Sequence, residues 1–436
     1  MMPLTAWLVV PFVAALLLWP VRRVRQIAAP LAALVYLALA ATAPFVARSE
    51  AIDVLGRAFD LSAAQAPYVC FLAVGLALLM AGGAFVQESA LVWPGSLATF
   101  GFMLGALCAG SAQLAGALLS LAAIGVAFCL LAPDTSELAM RTVIVLLCGT
   151  LLVLLAGWTA QSSQLEHPLS LSPIGRGAAL IGMGLLLGLF PFGFWAPPLG
   201  RVERPTGAFL AVCATGLVAS LRMAELSGLV GQELLPTVFR WGGLITFCLG
   251  AVGALLPDRL SAVVGYAAMA DLGVAALAMG VAPLENVDLA TQHLAYRAVA
   301  CALLWVAARV LAKCFGADDL RSLNGAFSRA PLTLTAVLLG GMSLSGLPPM
   351  AGFASRSAIL GLTSASPWWS TLWALGTLGP VWGLARIVIA SWGPTPPPGS
   401  RREPLWLGVL LLVTGLALLA GGIWPNVVAW LSSLAS

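Results

Sequence analysis

The sequence predicts an all-α, polytopic membrane bundle of about fourteen transmembrane helices. Three observations carry that expectation. Hydrophobic residues make up 61% of the 436 residues and charged residues only 9%, with a mean hydropathy of +1.00. Soluble domains carry about 25% charged residues, so this composition cannot build a wettable surface. Apolar windows long enough to span a bilayer, which takes about 20 residues, recur almost end to end. The polar connections, of which 48–63, 161–176, 314–330 and 393–404 are the longest, are too short to fold as a soluble domain.

The spans read as 4–20, 27–47, 66–87, 91–111, 113–132, 139–160, 177–196, 206–229, 237–256, 259–282, 287–313, 331–347, 350–392 and 403–424. The first resembles a signal-peptide core but is followed by Arg22, Arg23 and Arg25 rather than small residues, so it is expected to stay as an anchor. That arginine cluster is the clearest positive-inside signal and places the N-terminus outside. The span 350–392 is too long for one crossing and holds Pro367, Trp368 and Trp369 near its middle, so it should be broken. Asn426–Leu434 could lie along the interface as a short amphipathic helix.

Two segments interrupt helical regularity. Phe190–Pro205 contains Pro191, Gly193, Pro197, Pro198, Gly200 and Pro205; Ser345–Ser357 contains Gly346, Pro348, Pro349 and Gly352. Broken helices at membrane depth are tolerated only inside protein or against a water-filled cavity. In transporters they mark ion sites, often at matching positions of two inverted repeats.

A charge at mid-membrane costs on the order of 2.5–3.5 kcal/mol on insertion scales, so each needs a reason. The deep candidates are Arg222 with Glu225, then Asp271, Arg297, Arg356 and Arg386. Arg222 and Glu225 are three residues apart and can pair on one helix face. Asp271, midway along its span, has no basic partner on the same helix; Arg297 in the next span is the natural candidate. Arg309 and Lys313, the one lysine among 21 basic residues, lie near a helix end and can snorkel. His293, near the start of its span, and His167, in a loop, titrate near neutral pH and could relay protons, although a lone histidine is more often structural.

The eight cysteines lie in or beside apolar stretches with no CxxC and no histidine at metal-ligand spacing. They read as small buried hydrophobes, against zinc or iron–sulfur chemistry in this chain. A net charge of +4, scattered along the chain, gives no nucleic-acid footprint.

The stretch SLSGLPPMAGFASRSAIL, Ser343–Leu360, resembles a signature of the large antiporter-like membrane subunits of respiratory complex I, related hydrogenases and cation/proton antiporters. In that family a Gly-x-Pro-Pro-x-x-Gly-Phe run leads into a broken helix and a basic or acidic residue follows, here Arg356. DLRSLNG, Asp319–Gly325, is similar to the loop before it; SPWWSTLWALGTLGPVWGLARIV, Ser366–Val388, with Arg386, is similar to the helix after it in the N-type subunit. LFPFGFWAPP, Leu189–Pro198, resembles the family's first break, and Ala208–Arg222 and Val263–Gly273 follow in the family's order. The likeness covers roughly 60–425 and fits the N-type subunit best, then the M-type.

The resemblance implies an organisation of N-terminal helices over 1–112, a first antiporter-like repeat over 113–230, a second over 237–392 and a C-terminal helix in 403–436. It also exposes departures. Where the family's proton path has a glutamate, this chain has Ala117; where a lysine should pair with it, Leu186; where the break has a histidine, Gly193; where the next helix has a lysine, Ala214 and Thr215. The Glu-x-x-x-Lys pattern survives as Glu137 and Arg141. An arginine at 356 does not release its proton at working pH.

The expected function is thus a membrane-arm subunit of a complex-I-type proton-translocating NADH-quinone oxidoreductase or relative, with a degenerate half-channel of its own. An ion-conducting subunit of a multi-subunit antiporter or membrane-bound hydrogenase, or a non-transporting scaffold, is the alternative. No redox cofactor or metal is expected in this chain. Its partners would be the lipid bilayer and other membrane-arm subunits, with redox and quinone-binding subunits elsewhere in the assembly. A bacterial inner membrane is the expected location.

Overall fold

A computed structural model describes residues 3–54, 56–131, 136–166, 173–199, 204–230, 234–281, 287–363, 367–393, 399–427, 430 and 433. Within them the chain is helical almost throughout. The first half runs α1 (Leu4–Leu18), α2 (Arg25–Val46), α3 (Ala66–Val86), α4 (Val92–Cys108), α5 (Ala112–Leu130), α6 (Ser136–Glu166), α7 (Pro173–Leu187), α8 (Ala196–Leu199), α9 (Pro205–Phe209) and α10 (Thr215–Val230). The second half runs α11 (Leu234–Leu255), α12 (Leu260–Val281), α13 (Val287–Phe315), α14 (Ala326–Arg329), α15 (Pro331–Ser345), α16 (Ala351–Thr363), α17 (Pro367–Ser391) and α18 (Leu405–Ile423). Among the described residues, ten helices are long and apolar enough to cross a membrane, and four shorter apolar ones join them.

Two details depart from the expectation. The connection after α2 is not plain loop: β1 (Ile52–Val54) and β2 (Arg57–Phe59) form a small antiparallel hairpin. It is tied to the end of α4 through Asp60 N–H to Cys108 O and Gly110 N–H to Ala58 O, both 2.8 Å. The cysteines are not uniformly buried either, since Cys148 is exposed on the outer face of α6 and Cys248 is half-buried. Both sit in apolar helices, where an outward face meets lipid and needs no polar coating.

Helix α13 is the spine, packed against α3, α12, α15, α16 and α18. Its neighbour α12 is buried along nearly its whole length. It approaches α11 so closely at Gly273 that a Cβ there would stand 2.3 Å from the Phe247 backbone nitrogen. Small residues let membrane helices gain dispersion contact where lipid supplies no hydrophobic drive between them.

Both proline-rich segments are breaks. The first separates α7 from α9 through a single 3₁₀ turn at Gly193–Trp195 and the four-residue α8. From α9 the helix continues into α10 through a π-helical turn at Leu210–Ala214. The second break separates α15 from α16. Pro348 and Pro349 carry no N–H, so the carbonyls of Leu344 and Ser345, four residues earlier, have no helical donor. Gly346, at φ +69°, turns the chain there. The long span 350–392 is two helices, α16 and α17, as its Pro367–Trp369 cluster suggested.

Candidate functional site

Two orphaned carbonyls at the end of α15 define the site. The Arg356 guanidinium, one turn into α16, supplies the donors that the prolines lack: Nη1 to Ser345 O at 2.8 Å and Nη2 to Leu344 O at 2.9 Å. The same Nη2 donates to Asp271 Oδ1 on α12 at 2.9 Å. The planar fork reaches all three acceptors at once, which an ammonium on a flexible stem would not hold in this way. The guanidinium carbon also stands 5.8 Å from the centre of the Phe247 ring.

Asp271 is buried and shared. Arg297 on α13 directs Nε toward Oδ2 from 3.8 Å, while its Nη2 donates to Ala268 O at 3.2 Å and its Nη1 to Cys213 Sγ at 3.4 Å. Cys213 lies in the π-helical turn, a departure from α geometry that recurs at functional positions. His293, one turn before Arg297, brings Nε2 to 3.2 Å from Asp271 Oδ1, close but off the hydrogen-bonding direction. Its Nδ1 is 2.8 Å from the Ser355 hydroxyl, which in turn donates to Gly352 O at 3.3 Å. All four ionisable side chains are 5% exposed or less.

The charge balance is uneven. One carboxylate faces two guanidiniums that stay charged at working pH, with an imidazole alongside. A buried ion pair of this kind is strongly destabilised when one partner is removed, because the other charge stays behind without compensation. The arrangement can therefore hold charge at a break in the helical backbone.

The structure brings Asp271, Arg297 and Arg356 together, but with Arg356 rather than Arg297 as the close partner of the aspartate. It adds His293, since a single histidine near a helix start carries no signal in the sequence of what faces it. The useful signal is its spacing: four residues before Arg297, on the same face of α13. Arg386 lies elsewhere, pairing with Asp258 at 2.5 Å and donating to Leu255 O at the end of the bundle. Arg141 pairs with Glu137 at 2.5 Å on the exposed start of α6. Arg222 is buried and donates to Leu107 O at 3.4 Å. The Glu225 side chain and His167 fall outside the described residues.

At the positions where the resemblance implied a lysine–glutamate path, the surroundings are apolar. Leu186 is buried and fills the space over Gly149, whose added Cβ would stand 2.9 Å from its Cγ. Ala214 is fully buried in the π turn. Ala117 lies on the exposed face of α5. At Gly193 a Cβ would stand 2.3 Å from Gly188 O, so no side chain fits this turn without moving it.

Residues 164–380 match the family described as NADH:quinone oxidoreductase/Mrp antiporter, transmembrane. NADH-quinone oxidoreductase subunit N 1 of Herpetosiphon aurantiacus is 26% identical over 288 residues, covering 63% of this chain and 57% of the relative. The chain thus spans little more than half that relative's length. Among solved structures, a chain of the Mrp complex from Dietzia sp. superposes with a TM-score of 0.82 at 15% identity, over 99% of this chain and 96% of that one. A chain of respiratory complex I from Thermus thermophilus with bound NADH superposes with a TM-score of 0.80 at 23% identity, over 98% and 97%. The matched segment contains the broken helix, Asp271, His293, Arg297 and Arg356, and this chain belongs to the NADH:quinone oxidoreductase/Mrp antiporter family of membrane subunits.

Proposed function

We propose that this chain is a membrane-arm subunit of a complex-I-type proton-translocating NADH-quinone oxidoreductase, working in a bacterial inner membrane. In this reading the Asp271 cluster is an electrostatic link between neighbouring subunits rather than a complete proton channel. The observation that carries it is the contact of Asp271 with Arg356 at 2.9 Å across the break between α15 and α16. A guanidinium tied to two backbone carbonyls acts on Asp271 through its fixed charge, without releasing a proton. Leu186 and Ala214 offer no titratable group where the family's path would run.

The electron-carrying groups then belong to other chains of the assembly, and this subunit contributes charge and packing. A change of charge at a neighbouring subunit would act on Asp271, which stands between Arg356 at 2.9 Å and Arg297 at 3.8 Å. A shift of the carboxylate toward either guanidinium alters the field on His293, whose Nε2 stands 3.2 Å from Asp271 Oδ1. The outward faces of α11, α17 and α18, which carry Trp241, Trp382 and Trp406, are available to lipid and partner subunits.

The test is purification of the tagged chain from its own membranes in mild detergent. The expected result is co-purification of NADH-quinone oxidoreductase activity with a set of membrane-arm subunits. Recovery of a complex that exchanges cations for protons and oxidises no NADH would contradict the assignment.

A further inference from the structure

We propose that Glu88 is a second, exchangeable proton-binding site, remote from Asp271 and located at the end of the bundle where α3 finishes and α4 and α9 begin. It occupies the connection between α3 and α4, yet it is 1% exposed. One carboxyl oxygen, Oε1, accepts the Thr206 backbone N–H at 3.0 Å, at the start of the helix that runs from α9 into α10. The other, Oε2, is buried with no hydrogen-bonded partner among the described residues. The Thr206 hydroxyl lies beside the same carboxyl group and is likewise buried without a completed hydrogen bond.

Either protonation state can satisfy that pair of atoms. An ionised carboxylate can accept the Thr206 O–H, which favours the charged form, whereas a protonated carboxyl can donate its own O–H to the Thr206 hydroxyl oxygen. The ionised form has its own support. Arg204, just before α9, and Arg309 on α13 both attract the negative charge, and the Thr206 N–H stabilises it. Burial opposes ionisation more strongly and pushes the carboxyl from its ordinary value near 4.5 up to about 7. The remaining titratable neighbours are Cys129 at the end of α5, which feels the Glu88 charge, and Lys313 on α13, which donates to Phe85 O at the end of α3. Two forms of one buried group, each with partners in place, are the condition for exchange near neutral pH.

A fixed carboxylate cap on the α9 helix is the competing explanation, and infrared spectroscopy separates the two. The full-length chain in lipid nanodiscs is titrated from pH 5 to pH 9 while the carboxylic C=O stretch is followed. The expected result is a band lost with a midpoint near neutral pH, absent in Glu88→Gln and retained in Asp271→Asn. Should Glu88→Gln fail to fold, Arg309→Gln serves instead. Removing that positive charge is expected to raise the midpoint. No band titrating near neutral pH, a band that survives in Glu88→Gln, or a midpoint unmoved in Arg309→Gln, overturns the proposal. The experiment uses the isolated chain, so its outcome is independent of which assembly the chain serves.

Discussion

The Asp271 carboxylate on α12 and the Arg356 guanidinium on α16 meet at 2.9 Å across a gap in the helical backbone, and the same guanidinium nitrogen also binds the Leu344 carbonyl. Ion pair and helix break are thus one structural unit. The prolines that interrupt the helix create the carbonyl acceptors, and the arginine that fills them also neutralises the aspartate.

Arg356→Ala should therefore cost about 3–5 kcal/mol of stability, the range for removing one partner of a buried pair. Arg356→Lys should recover only part of it, because one ammonium cannot reproduce the fork to Ser345 O, Leu344 O and Asp271. Unfolding of the three proteins in matched bicelles measures the order wild type, lysine, alanine.

Gly346→Ala tests the break itself. The residue sits at φ +69°, and an added Cβ would stand 2.2 Å from Arg356 Cδ. Backbone strain alone costs on the order of 1–3 kcal/mol, and the displaced arginine adds to it. The thermal midpoint should fall, with the loss reduced in an Arg356→Ala background where the clashing atoms are gone.

Leu186→Lys puts a lysine where the family's path would have one. In this chain Leu186 is buried against Gly149, and a charge placed there costs on the order of 2.5–3.5 kcal/mol on insertion scales. The expected result is lower yield of folded protein in the membrane and no gain in proton conduction. A stable, conducting variant would show that the path had lost only one residue.

Stability should also respond to pH through Glu88. Its carboxyl is raised in the folded state to about 7 from near 4.5. Between those values the folded protein binds more protons than the unfolded chain, so stability falls as pH rises through that window. The group's contribution to the fall is on the order of 3 kcal/mol. Glu88→Gln should flatten the profile, a comparison that unfolding curves at pH 5 and pH 8 can make.

Much of this molecule is legible from residue order because the bilayer imposes simple constraints. Apolar runs give the crossings, and Gly346, Pro348 and Pro349 mark the break since proline cannot complete a helix. Asp271 stands out as an expensive charge at mid-span. Its close partner does not, because Asp271 and Arg356 are 85 residues apart in the chain and only packing decides that Arg356 lies nearer than Arg297. Glu88 shows the limit most plainly. In the run Gln87–Glu88–Ser89 it reads as a solvated loop charge, and only the convergence of α3, α4, α9 and α13 buries it. Arg386 and the Glu137–Arg141 pair err in the opposite direction, being charges in apolar stretches that the fold leaves at its edges.

The proposed role of the Asp271–Arg356 pair is to couple this chain to proton translocation. The most direct measurement is the number of protons pumped per NADH oxidised by the assembled complex in proteoliposomes, wild type against Asp271→Asn. Fewer protons per NADH, with the subunit composition unchanged, is the expected result. An unchanged ratio in a fully assembled Asp271→Asn complex would contradict it and leave the chain a scaffold.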